Sequence, residues 1–254
     1  MIFQDFDTKC IELLKARPNR QSRHCFRSAI NHLERAEKLF PIDNPMAVFR
    51  CFTAEEEAAS GLMYCLKDKG YLNAEKLNPR NHVHKNAIIQ FLSVLIQFSE
   101  DQFRRFSIEM FLNMAEGNGN LFLEVHMDLG QGVTRFIPDP PLNFKLLHED
   151  KRFSYREQIE KLVASKEARD IGSYLKGIAN QRNLVLYASQ KGFPNEIKIE
   201  DKFFPAYQKR VLAMLRIYLM IDPYEDKQSF VQDALDAFLT MLIKYEFEDI
   251  HDEF

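Results

Sequence analysis

Apolar residues recur at three- and four-residue intervals along most of the chain, the period of helices with one buried face. Phe3, Phe6, Cys10, Leu13 and Leu14 predict a short first helix, ended by Pro18. Phe26, Ala29, Ile30, Leu33, Ala36 and Phe40 predict a second, stopped by Pro41. Asn44 is placed to cap a third helix, with Pro45 at its first position, where a missing N–H is harmless. That helix runs to about Lys69, and Gly70 follows as its stop. After a turn at Asn78-Pro79, a fourth helix carries Val83, Ala87, Ile88, Phe91, Leu92 and Leu95. Its pattern continues, with a break near Ser99, through Phe103, Phe106, Ile108 and Phe111 to Gly117 and Gly119.

The period then changes to two. Leu121, Leu123, Val125 and Met127 alternate with Phe122, Glu124, His126 and Asp128, which predicts a strand. Gly130-Gln131-Gly132 can turn it back into a second strand over Val133 to Ile137, making a hairpin. Pro138, Pro140 and Pro141 make an extended connector. Ser154 with Glu157 has the form of a capping box and opens a helix carrying Ile159, Leu162, Val163, Ile171, Tyr174, Leu175 and Ile178. Gly172 and Gly177 weaken that helix and divide it. Arg182 to Ser189 is apolar enough to be helical, and Lys191-Gly192-Phe193-Pro194 ends it. Two helices finish the chain, one over Phe203 to Met220 and one from about Asp226, with a frayed acidic end. Residues 1–254 therefore read as a single, mainly α domain, a helical bundle with a β-hairpin and proline-rich insertion over 117–145 and a helical extension over 200–247.

Composition narrows the function. The net charge of -3 provides no global basic field, so any nucleic-acid contact must come from a local patch or a dimer cleft, and no DNA partner is expected. No apolar run approaches the roughly 18 residues needed to span a membrane. The start, MIFQDFDTK, does not read as a signal peptide, and a cytoplasmic protein is expected. Cys10, Cys25, Cys51 and Cys65 are widely spaced with no C-x-x-C, the pattern of reduced thiols. No cofactor or metal is expected.

Three polar constellations stand out. Glu55-Glu56-Glu57 lies within the third helix, and three consecutive acids sweep about 200° of a helix. At least one must turn toward the apolar side, where it needs a cation or a hydrogen bond. A solvated acidic face with one snorkelling member is the plainer alternative. Arg80-Asn81-His82-Val83-His84-Lys85 opens the fourth helix. These cations sit where the helix dipole favours anions, which points to a specific partner, a phosphate or the glutamates. A basic solvated helix start is the alternative. Two such histidines need further ligands to hold a metal, and none stands at a diagnostic spacing. The third constellation, Gln181-Arg182-Asn183-Leu184-Val185-Leu186-Tyr187, sets an Arg-Asn pair in an apolar run, with a boundary arginine and a core tyrosine as its plainer reading. Arg27 and His32 have four residues between them, but in this composition an Arg followed by a His after four to six residues arises roughly once by chance.

Taken together and in this order, these elements resemble the AbiV-type abortive-infection proteins of the HEPN superfamily. Ala54-Glu55-Glu56-Glu57 stands where that family has small residues leading into an acidic pair, with Glu56 and Glu57 the best matches. His82-Val83-His84-Lys85 fits its His-x-x-Lys, and Arg182, Leu186-Tyr187, Gly192 and Pro194 fit its late motif. The likeness covers roughly residues 22–98 and 155–195. Ser60 departs from it, standing where the family often has Lys; the hairpin and the two last helices are additions.

The resemblance implies a HEPN-like bundle, a homodimer, and a role in phage defence exercised on RNA or translation. Many HEPN proteins are metal-independent ribonucleases, in which Arg and His of two subunits meet in one cleft. A base activates the ribose 2′-OH, and an Arg clamps the phosphate. Here Tyr187 stands where catalytic members have His, and a phenol is a poor base at neutral pH. The resemblance therefore implies Arg182 as phosphate ligand and His82 or His84 as base, with Lys85, Glu56, Glu57 and Asn183 orienting them. Arg27/His32 is a decoy under this assignment. The alternative is a non-catalytic helical module that binds RNA or a phage or antitoxin-like protein, its polar cluster serving the fold.

Overall fold

The computed structural model describes residues 3–117, 119–128, 130, 132–144, 147–148, 151–152, 185, 200 and 202–251. Among them the chain is mainly helical: α1 (Asp5–Ala16), α2 (Gln21–Leu39), α3 (Asn44–Asp68), a 3-10 turn (Ala74–Lys76), α4 (His82–Arg105), α5 (Phe203–Ile221) and α6 (Ser229–His251). A three-stranded antiparallel sheet is ordered β1 (Ile108–Met114), β2 (Leu121–Asp128), β3 (Val133–Phe136). A short ladder joins β4 (Leu147–His148) to β5 (Lys151–Arg152). None of the described helices is long and apolar enough to cross a membrane. The predicted helices over 154–178 and 182–189 lie outside the described residues, apart from Val185.

The chain divides into two compact units. The first holds residues 1–65, 78–89 and 171–218. Its helices bury the faces their periodicity predicts: Cys10 and Leu14 on α1, Phe26, Ala29, Leu33 and Ala36 on α2, Ala54, Ala58 and Met63 on α3, Leu215 and Tyr218 on α5. Phe26 packs on Tyr218 with ring centroids 4.8 Å apart. Val185, helical and buried, packs with Val48 and Phe52, flanked by Phe49, Phe203 and Tyr207.

Small residues on α3 let α2 come close. A Cβ built on Gly61 would stand 2.7 Å from Phe26 Cε2 and 3.2 Å from the Ser22 carbonyl oxygen. Phe26 is enclosed and cannot swing away. Gly61→Ala should therefore overpack the interface, an effect of roughly 1–3 kcal/mol, against roughly 1 kcal/mol of helix propensity gained. Thermal melting is expected to show a net loss of a few degrees; a raised Tm would mean that Phe26 repacks freely.

The second unit holds residues 66–77, 90–170 and 219–254. Leu121, Leu123 and Val125 of β2 are buried, as the alternation predicts. Phe91 packs on Phe238, centroids 5.4 Å apart. Gln228, fully buried, ties three segments together. Its amide nitrogen donates to the Met220 carbonyl at 2.8 Å, its side-chain oxygen accepts from Leu142 N–H at 2.7 Å, and its own N–H donates to the Tyr71 hydroxyl at 3.1 Å.

Several expectations are corrected. The fourth helix runs unbroken past Ser99 and stops at Arg105. Ser107 then takes a positive φ of 52°, and the residues expected to prolong the helix form β1. Ile108, Met110, Leu112 and Met114 face one side of the sheet, so the period is two; Phe103 is helical as expected, whereas Ile108 and Phe111 matched helical spacing by coincidence. The expected hairpin is thus the β2–β3 part of a three-stranded sheet. Asp43, not Asn44, caps α3: its carboxylate accepts the Met46 N–H at 3.0 Å, and Pro45 falls one position later. Gly70 stops α3 as expected, with φ at 66° and the Tyr71 N–H reaching back to the Leu66 carbonyl at 3.1 Å. The acidic end stays helical as far as His251.

Candidate functional site

The three consecutive glutamates of α3 part company, each to a different helix. Glu55 pairs with Arg210 of α5. Glu56 accepts from His82 Nδ1 at 3.0 Å and from Lys85 Nζ at 3.2 Å, both on α4. Glu57 takes a hydrogen bond from Ser28 of α2 and feels Lys85. Glu55 and Glu56 are buried, so the acidic triplet is not a solvated face. Burial pushes the Glu55 carboxyl up to about 7, with Arg210 pulling the other way. Burial also raises Glu57, opposed by Lys85 and the Ser28 hydroxyl.

Helix α4 presents its charges to Glu56 because of how it begins. The Asn81 side chain accepts the Val83 N–H at 2.8 Å and its carbonyl accepts the Lys85 N–H at 3.2 Å, so His82 and Lys85 share a face one turn in. Lys85 is 9% exposed and His82's side chain 51%. The ammonium is thus enclosed with its counter-ion, while half of the imidazole meets solvent. The carboxylate accepts at Nδ1, so in the neutral ring Nδ1 carries the proton and Nε2 the lone pair. His84 has the opposite arrangement. It is buried, and its Nδ1 accepts the backbone N–H of Asn78 at 3.1 Å, which puts the proton on Nε2. Ser60 is buried within hydrogen-bond distance of the Glu56 carbonyl (2.8 Å) and the Pro79 carbonyl (3.2 Å). It joins α3 to the loop that feeds α4.

Glu56, His82 and Lys85 therefore come together, with Glu57 beside them and His84 turned to the loop. Arg182, Asn183 and Tyr187 lie outside the described residues. Arg27 is exposed, whereas His32 is half-buried with its Nδ1 3.2 Å from Arg50 NH1. Burial, with Arg50 and Arg35, lowers His32 from its ordinary value. Sequence reasoning missed Arg210 and Ser28. The signal for Arg210 was a guanidinium in the apolar run of α5, where it also lies over the Tyr207 ring at 4.4 Å. Cys25 and Cys51 are buried thiols pushed up to about 12, chiefly by desolvation, and are not poised as thiolates. Among the described residues no cluster of three His, Cys, Asp or Glu is spaced to hold a metal.

What the arrangement can do chemically is move a proton. A carboxylate on Nδ1 orients the ring and fixes its tautomer, and a lysine on the same carboxylate holds that carboxylate in place. Comparison with models of known families, with curated proteins and with solved structures finds no match to this chain.

Proposed function

We propose that this chain acts on RNA as an AbiV-type HEPN protein, with the Glu56-His82 pair as the described part of its site. The carrying observation is the half-exposed imidazole seated on a buried carboxylate, 3.0 Å away. On this reading His82 Nε2 takes the proton of a ribose 2′-OH. The oxygen attacks the adjacent phosphorus, the P–O5′ bond breaks, and the departing 5′-oxygen takes a proton from water, leaving a 2′,3′-cyclic phosphate and a free 5′-hydroxyl. Glu56 stabilises the imidazolium that forms, and Lys85 holds Glu56. Arg182 as phosphate clamp, Tyr187 and Asn183 as its neighbours, a homodimer, and a role in phage defence all follow from the sequence resemblance alone.

The test is purified protein on total RNA with excess chelator. His82→Ala is expected to cut cleavage on the order of 10²-fold to 10⁴-fold. Its stability should fall by under about 1 kcal/mol, because a half-exposed contact to the carboxylate is screened by solvent. Cleavage that survives both His82→Ala and Arg182→Ala would refute the assignment.

A second reading has its own support in the burial of Glu56 and Lys85, which makes their pair a fastener between α3 and α4. The chain would then be a non-catalytic module that binds RNA or a protein. Wild-type protein that binds RNA but leaves it intact would favour this reading.

A further inference from the structure

The stretch from Leu13 to Leu33 contains Lys15, Arg17, Arg20, Arg23, Arg27, His24 and His32 and no carboxylate, in a chain whose net charge is -3. It forms the end of α1 and the first three turns of α2. The apolar face of α2 is turned inward, burying Cys25, Phe26, Ala29, Ile30 and Leu33. His24 and Arg27, three apart, are exposed on its outer side, and the half-exposed N-cap residue Arg20 precedes His24 by four. Among the described residues no carboxylate pairs with Arg20, Arg23 or Arg27; Arg23 donates to the Lys15 carbonyl at 2.6 Å and the Asn19 side chain at 3.4 Å. The first turn of α2 holds no acid and its N-cap residue makes no side-chain cap, so the helix dipole adds to the same positive field. Glu34 begins the mixed-charge part of the helix.

This strip borders the site. Ser28, which hydrogen-bonds Glu57, lies on the helix about 40° from His24 and about 100° from Arg27, at roughly 100° per residue. We propose that the outer face of α2 is a track for an RNA backbone that leads toward the Glu56-His82 pair. The proposal rests on the RNA reading above and adds where the strand lies. The strip suits a polyanion better than other partners. A membrane-surface helix needs an exposed apolar face, and the apolar face of α2 is buried. A protein interface is centred on apolar or aromatic anchors, and none of the exposed large hydrophobic residues falls between Leu13 and Leu33. Phosphates, by contrast, need only spaced cations and free N–H groups.

The experiment is fluorescence anisotropy of the full chain with a labelled 2′-O-methyl oligo-uridine, which cannot be cleaved through a 2′-hydroxyl, across a salt series. Arg20→Gln/Arg27→Gln is expected to weaken binding several-fold and to lower the slope of log K against log salt by about 1.4, two contacts at roughly 0.7 each. Lys76→Gln/Lys202→Gln, which removes two exposed charges elsewhere, should leave both unchanged. Equal affinity and slope in wild type and the double arginine variant would overturn the track and leave the RNA reading standing. Wild type that ignores the probe but binds phosphatidylserine vesicles through these arginines would overturn both.

Discussion

Glu56→Ala is expected to destabilise the protein by about 3–5 kcal/mol, because it strands a buried ammonium without its counter-ion. Lys85 is 9% exposed and holds Glu56 Oε2 at 3.2 Å. Glu57 stands near enough to share some of that charge, which places the effect toward the lower end. At about 2–4 °C per kcal/mol for a chain of this length, Tm should drop by roughly 6–12 °C. Lys85→Met alone should do less, since His82 can still meet the carboxylate from the solvent side. The double variant Glu56→Leu/Lys85→Met should recover much of the loss, because replacing both members of a buried pair with apolar side chains removes the desolvation penalty. A Glu56→Ala protein melting within a degree or two of wild type would show that the pair does not hold α3 to α4.

The second large effect depends on pH. Burial holds the Glu55 carboxyl at about 7 in the folded chain, against an ordinary value of 4.5. A carboxyl raised on folding binds its proton more tightly in the native state. Its contribution is complete below about pH 4.5, declines as pH rises toward 7, and is lost above that. The interval between the two values corresponds to about 3 kcal/mol. Glu55→Gln replaces the neutral acid with a neutral amide of the same shape and does not titrate. It should melt close to wild type near about pH 5 and above it near about pH 8. A difference in Tm that stays constant over that range would mean that Arg210 keeps Glu55 ionised throughout.

Much of the architecture was legible because helices are specified locally. Phe26, Ala29, Leu33 and Ala36 recur at helical spacing and are buried. The alternation over Leu121 to Asp128 marked β2 in the same way. Where local cues conflicted, the reading failed. Ile108 and Phe111 fit a continuation of the helix as well as a strand until β2 supplied a pairing edge for Ile108 to Met114. At the start of α3, Asp43 and Asn44 could each cap, and the backbone geometry chose Asp43.

The amphipathic pattern settles which residues form helices and which face each helix hides, since that depends on neighbours within a few positions. It also requires that Glu55-Glu56-Glu57 turn at least one acid inward, because three consecutive positions cannot all face water. The destination of each acid depends on packing. Glu56 finds His82 across 26 positions and Glu55 finds Arg210 across 155, because buried charges must be matched by whatever cation the neighbouring helix brings near. The same packing separates two histidines with one residue between them, seating the half-exposed His82 on a buried carboxylate and the buried His84 on a backbone N–H.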